Sequence, residues 1–309
     1  QSALLANTTG AANTAVGSLS MQLNTTGTLN AALGHASLDA NTTGAQNTAI
    51  GYASMTTNTT GTNNTALGTN SLGLNTTGSG NTALGMNTLL SNTTASNNTA
   101  VGYAALTLNT TATGNTALGQ GSAGAVTTSP SNTCIGNGAG AAISTGAGGN
   151  VCVGYQAGDT ITTGTNNIVI GHTSDTASAT SVQSITLGNG TIVALRCQVQ
   201  SISALSDRRD KKDIKDLDVG LDFINTLHPV KFTWNMRSGD KVDIKEAGFI
   251  AQELDESQNK FDAEEYLQLV LKDNPEKLEA AMGKLIPSMV KAIQELSAKV
   301  TELEDKLNG

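Results

Sequence analysis

Apolar positions in the first part of this chain recur on a fixed 17-residue ruler, whereas near the C-terminus they recur every three or four residues. The shaft unit is Asn-Thr-Ala-(Val/Leu/Ile)-Gly, at Asn13, Asn47, Asn64, Asn81, Asn98 and Asn115, with a close variant at Asn30. Diverged copies continue at Asn132, Asn150, Asn167 and Ser184, the step from Asn132 to Asn150 being 18 residues. The ruler aligns Val16, Leu33, Ile50, Leu67, Leu84, Val101, Leu118, Ile135, Val153, Ile170 and Leu187 in one ladder. Met21, Leu38, Met55, Leu72, Leu89 and Leu106 form a second, four residues after the closing Gly. Self-similarity at such a period is the signature of a stacked repeat. The pattern predicts two short strands per repeat, each sending one side chain inward, separated by Asn-Thr-Thr-Gly turns in which Gly supplies φ > 0. Eleven coils of a parallel β-solenoid, stacked at about 4.8 Å, give a shaft roughly 50 Å long.

The pattern then changes. Residues 189–205 lose the ruler but keep strand-like alternation, which reads as a neck. Leu217, Leu221, Ile224 and Leu227 predict a helix over Asp216–Leu227, stopped at His228-Pro229. A strand is expected at Val230–Trp234, a turn at Asn235–Asp240, and a strand running into a short helix over Ala247–Leu254. Ile286, Met289, Ile293, Leu296, Val300, Leu303 and Leu307 alternate steps of three and four, the a/d seam of a coiled coil over about residues 286–307. The expected organisation is a shaft over 1–188, a neck over 189–205 and a separate domain over 206–309.

Composition sharpens the boundary. Up to residue 205 the charged residues are Arg196, Asp39, Asp159 and Asp175; the other 16 basic and 22 acidic residues all follow. No basic patch suits nucleic acid, no polybasic helix or long apolar run suits a membrane, and no secretory signal stands at Gln1, a start that reads as a fragment or processed form. Of three cysteines, Cys134 and Cys152 share one repeat position and read as small apolar fillers; Cys197 follows the ruler. Asn-Thr-Thr is formally a glycosylation acceptor, but a turn repeated for geometry creates it by accident. His172 reads as a solitary surface or packing side chain rather than a metal ligand, and no metal or cofactor site is expected. The three scattered Asp offer no carboxylate pair for glycoside hydrolysis, and no aromatic cluster marks a receptor site. One or two medium-sized apolar side chains per coil scarcely offset the entropy of ordering 17 residues rich in Gly, Thr and Asn. Association of three chains, burying the Ala face opposite the first ladder, is expected to supply the missing area.

The repeat resembles the β-roll heads of trimeric autotransporter adhesins, whose Asn-Ser-Val-Ala-Ile-Gly unit is close to Asn47-Thr48-Ala49-Ile50-Gly51, and equally the repetitive shafts of phage and algal-virus fibres. Three tail motifs are Ser206–Ile214, Gly248–Leu254 and Leu285–Leu296. With them the tail resembles the C-terminal intramolecular chaperone domain of endosialidase-type phage tailspikes. The resemblance implies a homotrimeric β-solenoid shaft followed by a small α+β chaperone domain ending in a trimeric coiled coil. It implies a chaperone that trimerises, sets the register of three chains and releases itself, Ser206 being the nucleophile, Lys211 the base, and the Leu205–Ser206 bond the one cut. Asp210 stands where the family usually has an apolar residue, and a carboxylate beside Lys211 favours the charged ammonium, which opposes base action. The function so implied is a phage tail fibre or tailspike in the virion, extracellular, partnered by itself, by other tail proteins and by a host receptor that the resemblance implies to be a glycan. The alternative is a bacterial trimeric surface adhesin.

Overall fold

A computed structural model describes residues 2–192, 195, 205–237, 239 and 241–308. Most of the expected neck, with Arg196 and Cys197, lies outside the described residues. The chain divides into two compact units, Gln1–Asn189 and Gly190–Gly309.

The first unit is a parallel β-solenoid. Eleven three-residue strands, from Thr14–Val16 to Ile185–Leu187, form a single sheet in sequence order, each in register with its counterpart one coil on. There is one strand per coil, not the expected two. Met21, Leu38, Met55, Leu72, Leu89 and Leu106 are fully buried, as an inward ladder requires, but they sit in turns with left-handed backbone, φ 49–53°. Such φ values are costly for a residue with a bulky side chain and persist only where surrounding packing fixes them.

The facing of the strands also differs from expectation. In each Thr-Ala-Leu strand the central residue points inward: Ala32, Ala49, Ala66, Ala83, Ala100, Ala117, Cys134, Cys152 and Val169 are buried. The flanking Val/Leu/Ile ladder points outward, with Val16 54% and Leu187 52% exposed. The Ala face is therefore each chain's own core. Alternation allows either parity, and the narrow interior of a 17-residue coil settles it: with a Leu or Met already inside, only a small strand residue fits.

Two columns of Asn complete the interior. Asn13 accepts the backbone N–H of Asn30 through Oδ1 (3.0 Å), and the same contact repeats to Ser184. A second column runs Asn7, Asn24, Asn41, Asn58, Asn75, Asn92 and Asn109, each Nδ2 donating to the preceding Oδ1 at 2.8–2.9 Å. From Asn24 to Asn109 these acceptor-like asparagines are fully buried, so turn geometry accounts for the glycosylation-like motif. The column ends because the next position is Val126, which cannot donate, and Asn109 Oδ1 is left without a partner. From there the core is rebuilt. Ala100, Leu106 and Asn109 give way to Cys134, Gly140 and Ile143, then to Cys152, Gly158 and Ile161. A Cβ on Gly140 would lie 2.5 Å from Cys134 Sγ, and one on Gly158 2.5 Å from Cys152 Sγ. The two thiols are free, paired across adjacent coils, and serve as the small fillers expected. The extra residue of the 18-residue step falls before Ala147, since Asn132 reaches a carbonyl fifteen residues on where Asn98 reaches one fourteen on.

The Gly closing each strand is obligatory. Gly68 has φ +137°, and a Cβ there would sit 2.5 Å from the carbonyl oxygen of Gly85 in the next coil. Gly68→Ala is expected to destabilise the shaft by at least about 2 kcal/mol, read as a lowered thermal midpoint, because strained backbone and a clash add.

The second unit contains helices α1 (Leu221–Ile224), α2 (Ala251–Lys260), α3 (Glu264–Leu267) and α4 (Ile286–Asn308). The strands Val230–Asn235 and Val242–Gly248 form an antiparallel hairpin, and Val270–Leu271 pairs with Glu279–Ala280. Val219, Phe223, Leu254, Ala263, Leu267, Leu269, Val270 and Leu285 form its core. The helix expected over 216–227 is only one turn long. It starts after Gly220, where a Cβ would meet the Glu295 carboxylate at 2.4 Å, while Leu217, Ile224 and Leu227 still pack on the core.

Candidate functional site

Ser206 and Lys211 are brought together by a 3₁₀ turn, Arg208–Asp210. Asp207 caps it: its Oδ1 accepts the Arg209 backbone N–H at 2.8 Å, and the Arg209 guanidinium grips both carboxylate oxygens. Those Arg209 side-chain bonds hold the Asp207 carboxyl below its usual range. The Lys211 backbone N–H closes on the Arg208 carbonyl at 3.2 Å, and the chain reverses far enough for Lys211 Nζ to donate to Ser206 Oγ at 2.6 Å. Asp210 forms no ion pair among the described residues; the Lys211 ammonium is committed to the serine instead. Leu205, Ser206 and Lys211 are all exposed, Leu205 at 85%.

Chemically the contact is a serine hydroxyl in direct reach of an amine. With Nζ charged, the amine donates. Loss of one proton reverses the bond, so that the hydroxyl donates to the amine lone pair, as a Ser–Lys pair requires. A neutral lysine is favoured by burial.

Helix α4 has two faces. Ser288 and Ala292 are buried on one side, and Glu295 Oε2 accepts the Leu221 backbone N–H at 2.7 Å, capping α1 from a distance of 74 residues in sequence. That backbone bond, with Lys291 nearby, holds the Glu295 carboxyl below its usual range. The other side carries Ile286, Met289, Ile293, Leu296, Val300, Leu303 and Leu307, all exposed, Ile293 at 65%. The helix is thus docked on its own domain by one side while its heptad side stays uncovered.

Residues 206–263 match the family model described as chaperone of endosialidase. The match begins at Ser206, takes in the 3₁₀ turn, α1, the hairpin and α2, and ends beside α3. The chaperone-type domain thus follows the β-solenoid in sequence, with residues 190–205 between them. No curated protein and no solved structure matches the chain. No helix among the described residues is long and apolar enough to cross a membrane.

Three features escaped the sequence reading. The Asp residues expected to be scattered are not all apart: Asp159 lies beside Asp175 one coil on, and burial, with that neighbouring carboxylate, raises the Asp159 carboxyl above its usual range. The Glu295–Leu221 bond has no local signal, because its partners are far apart in sequence. The third is an aromatic column on the shaft. His35 stacks on Tyr52 (ring centroids 5.3 Å) and Tyr155 on His172 (5.0 Å), both pairs one coil apart. Reading the 17-residue ruler one position beyond the closing Gly, rather than only at its apolar positions, would have aligned these rings.

Proposed function

We propose that the chain is the shaft of a trimeric viral tail fibre or tailspike for host attachment, carrying a C-terminal chaperone that joins and registers three chains. The observation that carries this reading is the uncovered heptad side of α4 on a domain whose residues 206–263 match the endosialidase chaperone. Ile at a and d positions favours more than two strands. The outward Val/Leu/Ile ladder supports the same state, since three shafts packed along it would remove from water an apolar stripe running the length of the solenoid. Register is the problem such a tail solves. A strict 17-residue repeat lets chains pair one coil out of step at little local cost, and a nucleus that fixes their ends together removes that degeneracy.

The chaperone then separates from the shaft. Ser206 Oγ attacks the Leu205 carbonyl carbon as neutral Lys211 takes its proton; the Leu205–Ser206 C–N bond breaks as Lys211 passes that proton to the leaving nitrogen, giving an ester on Oγ and a free Ser206 amine. Water hydrolyses the ester. The pair is exposed in a single chain. Neighbouring chains that cover it would favour the neutral amine, so assembly is the trigger for the cut.

A chain ending at Leu205 tests the chaperone role. It is expected to aggregate or form mixed oligomers by light scattering, whereas the full chain gives one soluble species. A truncated chain that assembles as well as the full one removes the chaperone from the account.

A further inference from the structure

Every aromatic ring of the shaft occupies one position of its 17-residue ruler: Tyr52, Tyr103 and Tyr155, with His35 and His172; all Phe and the Trp lie in the tail. All five side chains are exposed, the tyrosines at 47–58%. The tyrosines recur every three coils, about 14 Å apart at the usual strand spacing. Ring stacking adds little stability at such exposure, and core packing plays no part, so neither explains why one position in seventeen collects all the rings.

We infer that this column is a binding face for a neutral polysaccharide laid along the shaft; the inference rests on the attachment reading above and names its ligand class. Three features select that occupant. Flat ring faces suit the C–H faces of pyranose rings, and Tyr contributes large contact area at low conformational cost. Between the rings, Gln120 and Asn137 occupy the same column, joined by an amide–amide bond of 3.2 Å, and supply donors and acceptors for hydroxyls. The shaft carries only Asp39, Asp159 and Asp175 as formal charges, so an ionic ligand finds few partners. The apolar Val/Leu/Ile ladder is a different position of the ruler and is left to chain association.

The test is electrophoresis of the full chain through gels containing a neutral glucan, mannan or galactan, with heparin as the anionic control. The parent chain should be retarded by at least one neutral polymer and not by heparin. The Tyr52→Ala/Tyr103→Ala/Tyr155→Ala chain should bind about tenfold or more weakly, with unchanged circular dichroism and native mass. Absence of retardation in all three neutral gels, or equal retardation of the variant, overturns the inference. So does a variant that changes oligomeric state, because the rings are then a contact between chains. Adsorption to cells that the triple variant retains in full would leave attachment standing and remove this site alone.

Discussion

Ser206→Ala is expected to keep the protein as one uncut polypeptide, and the parent chain to yield a fragment whose N-terminal residue is Ser206. The loss should be complete rather than graded, because in the proposed step the Ser206 hydroxyl is the group that receives the acyl chain. Lys211→Met should do the same while leaving Ser206 in place, since it removes the base but not the nucleophile. Lys211→Arg should also fail: a guanidinium keeps its proton at any physiological pH. Intact mass spectrometry of freshly expressed chains reads all three. Cleavage that persists in Ser206→Ala would take the chemistry away from this pair.

Ile293→Asp/Leu296→Asp is the second large effect. Both side chains lie on the uncovered side of α4, away from Ser288, Ala292 and the Glu295–Leu221 bond, so the domain's own core is untouched. Placing carboxylates on a three-stranded seam brings six like charges together out of water, a cost of several kcal/mol that no assembly of modest stability survives. The chain should become monomeric or aggregate through its shaft ladder. Under the proposed trigger, in which assembly covers the Ser206–Lys211 pair, the same variant should also stop the cut. A monomeric variant that still cleaves would separate the two events and place activation within one chain.

The coil period, the Cys134–Cys152 pair and the heptad side of α4 were legible because each depends on spacing alone. The direction of the strand side chains was not. Thr-Ala-Leu alternates equally well either way round, and the choice follows from interior width, which depends on the Asn columns and on Met21 or Leu38 entering from a left-handed turn. The second strand per coil was lost for the same reason, since apolar spacing cannot distinguish an extended backbone from a left-handed turn that buries the same side chain. The overlong helix at 216–227 shows a tertiary contact overriding periodicity, with the Glu295 carboxylate setting its start. For the candidate site, residues 206 and 211 were named from resemblance. What brings Lys211 Nζ to 2.6 Å from Ser206 Oγ is the Asp207-capped turn, a local device that spacing alone does not reveal.

The central claim is that three of these chains assemble through the tail. Native mass spectrometry of the full Ser206→Ala chain tests it most directly, because blocking the cut keeps shaft and tail together. A single species with three times the 31.4 kDa chain mass is the expected result. A stable, soluble species at the mass of one chain would contradict the account.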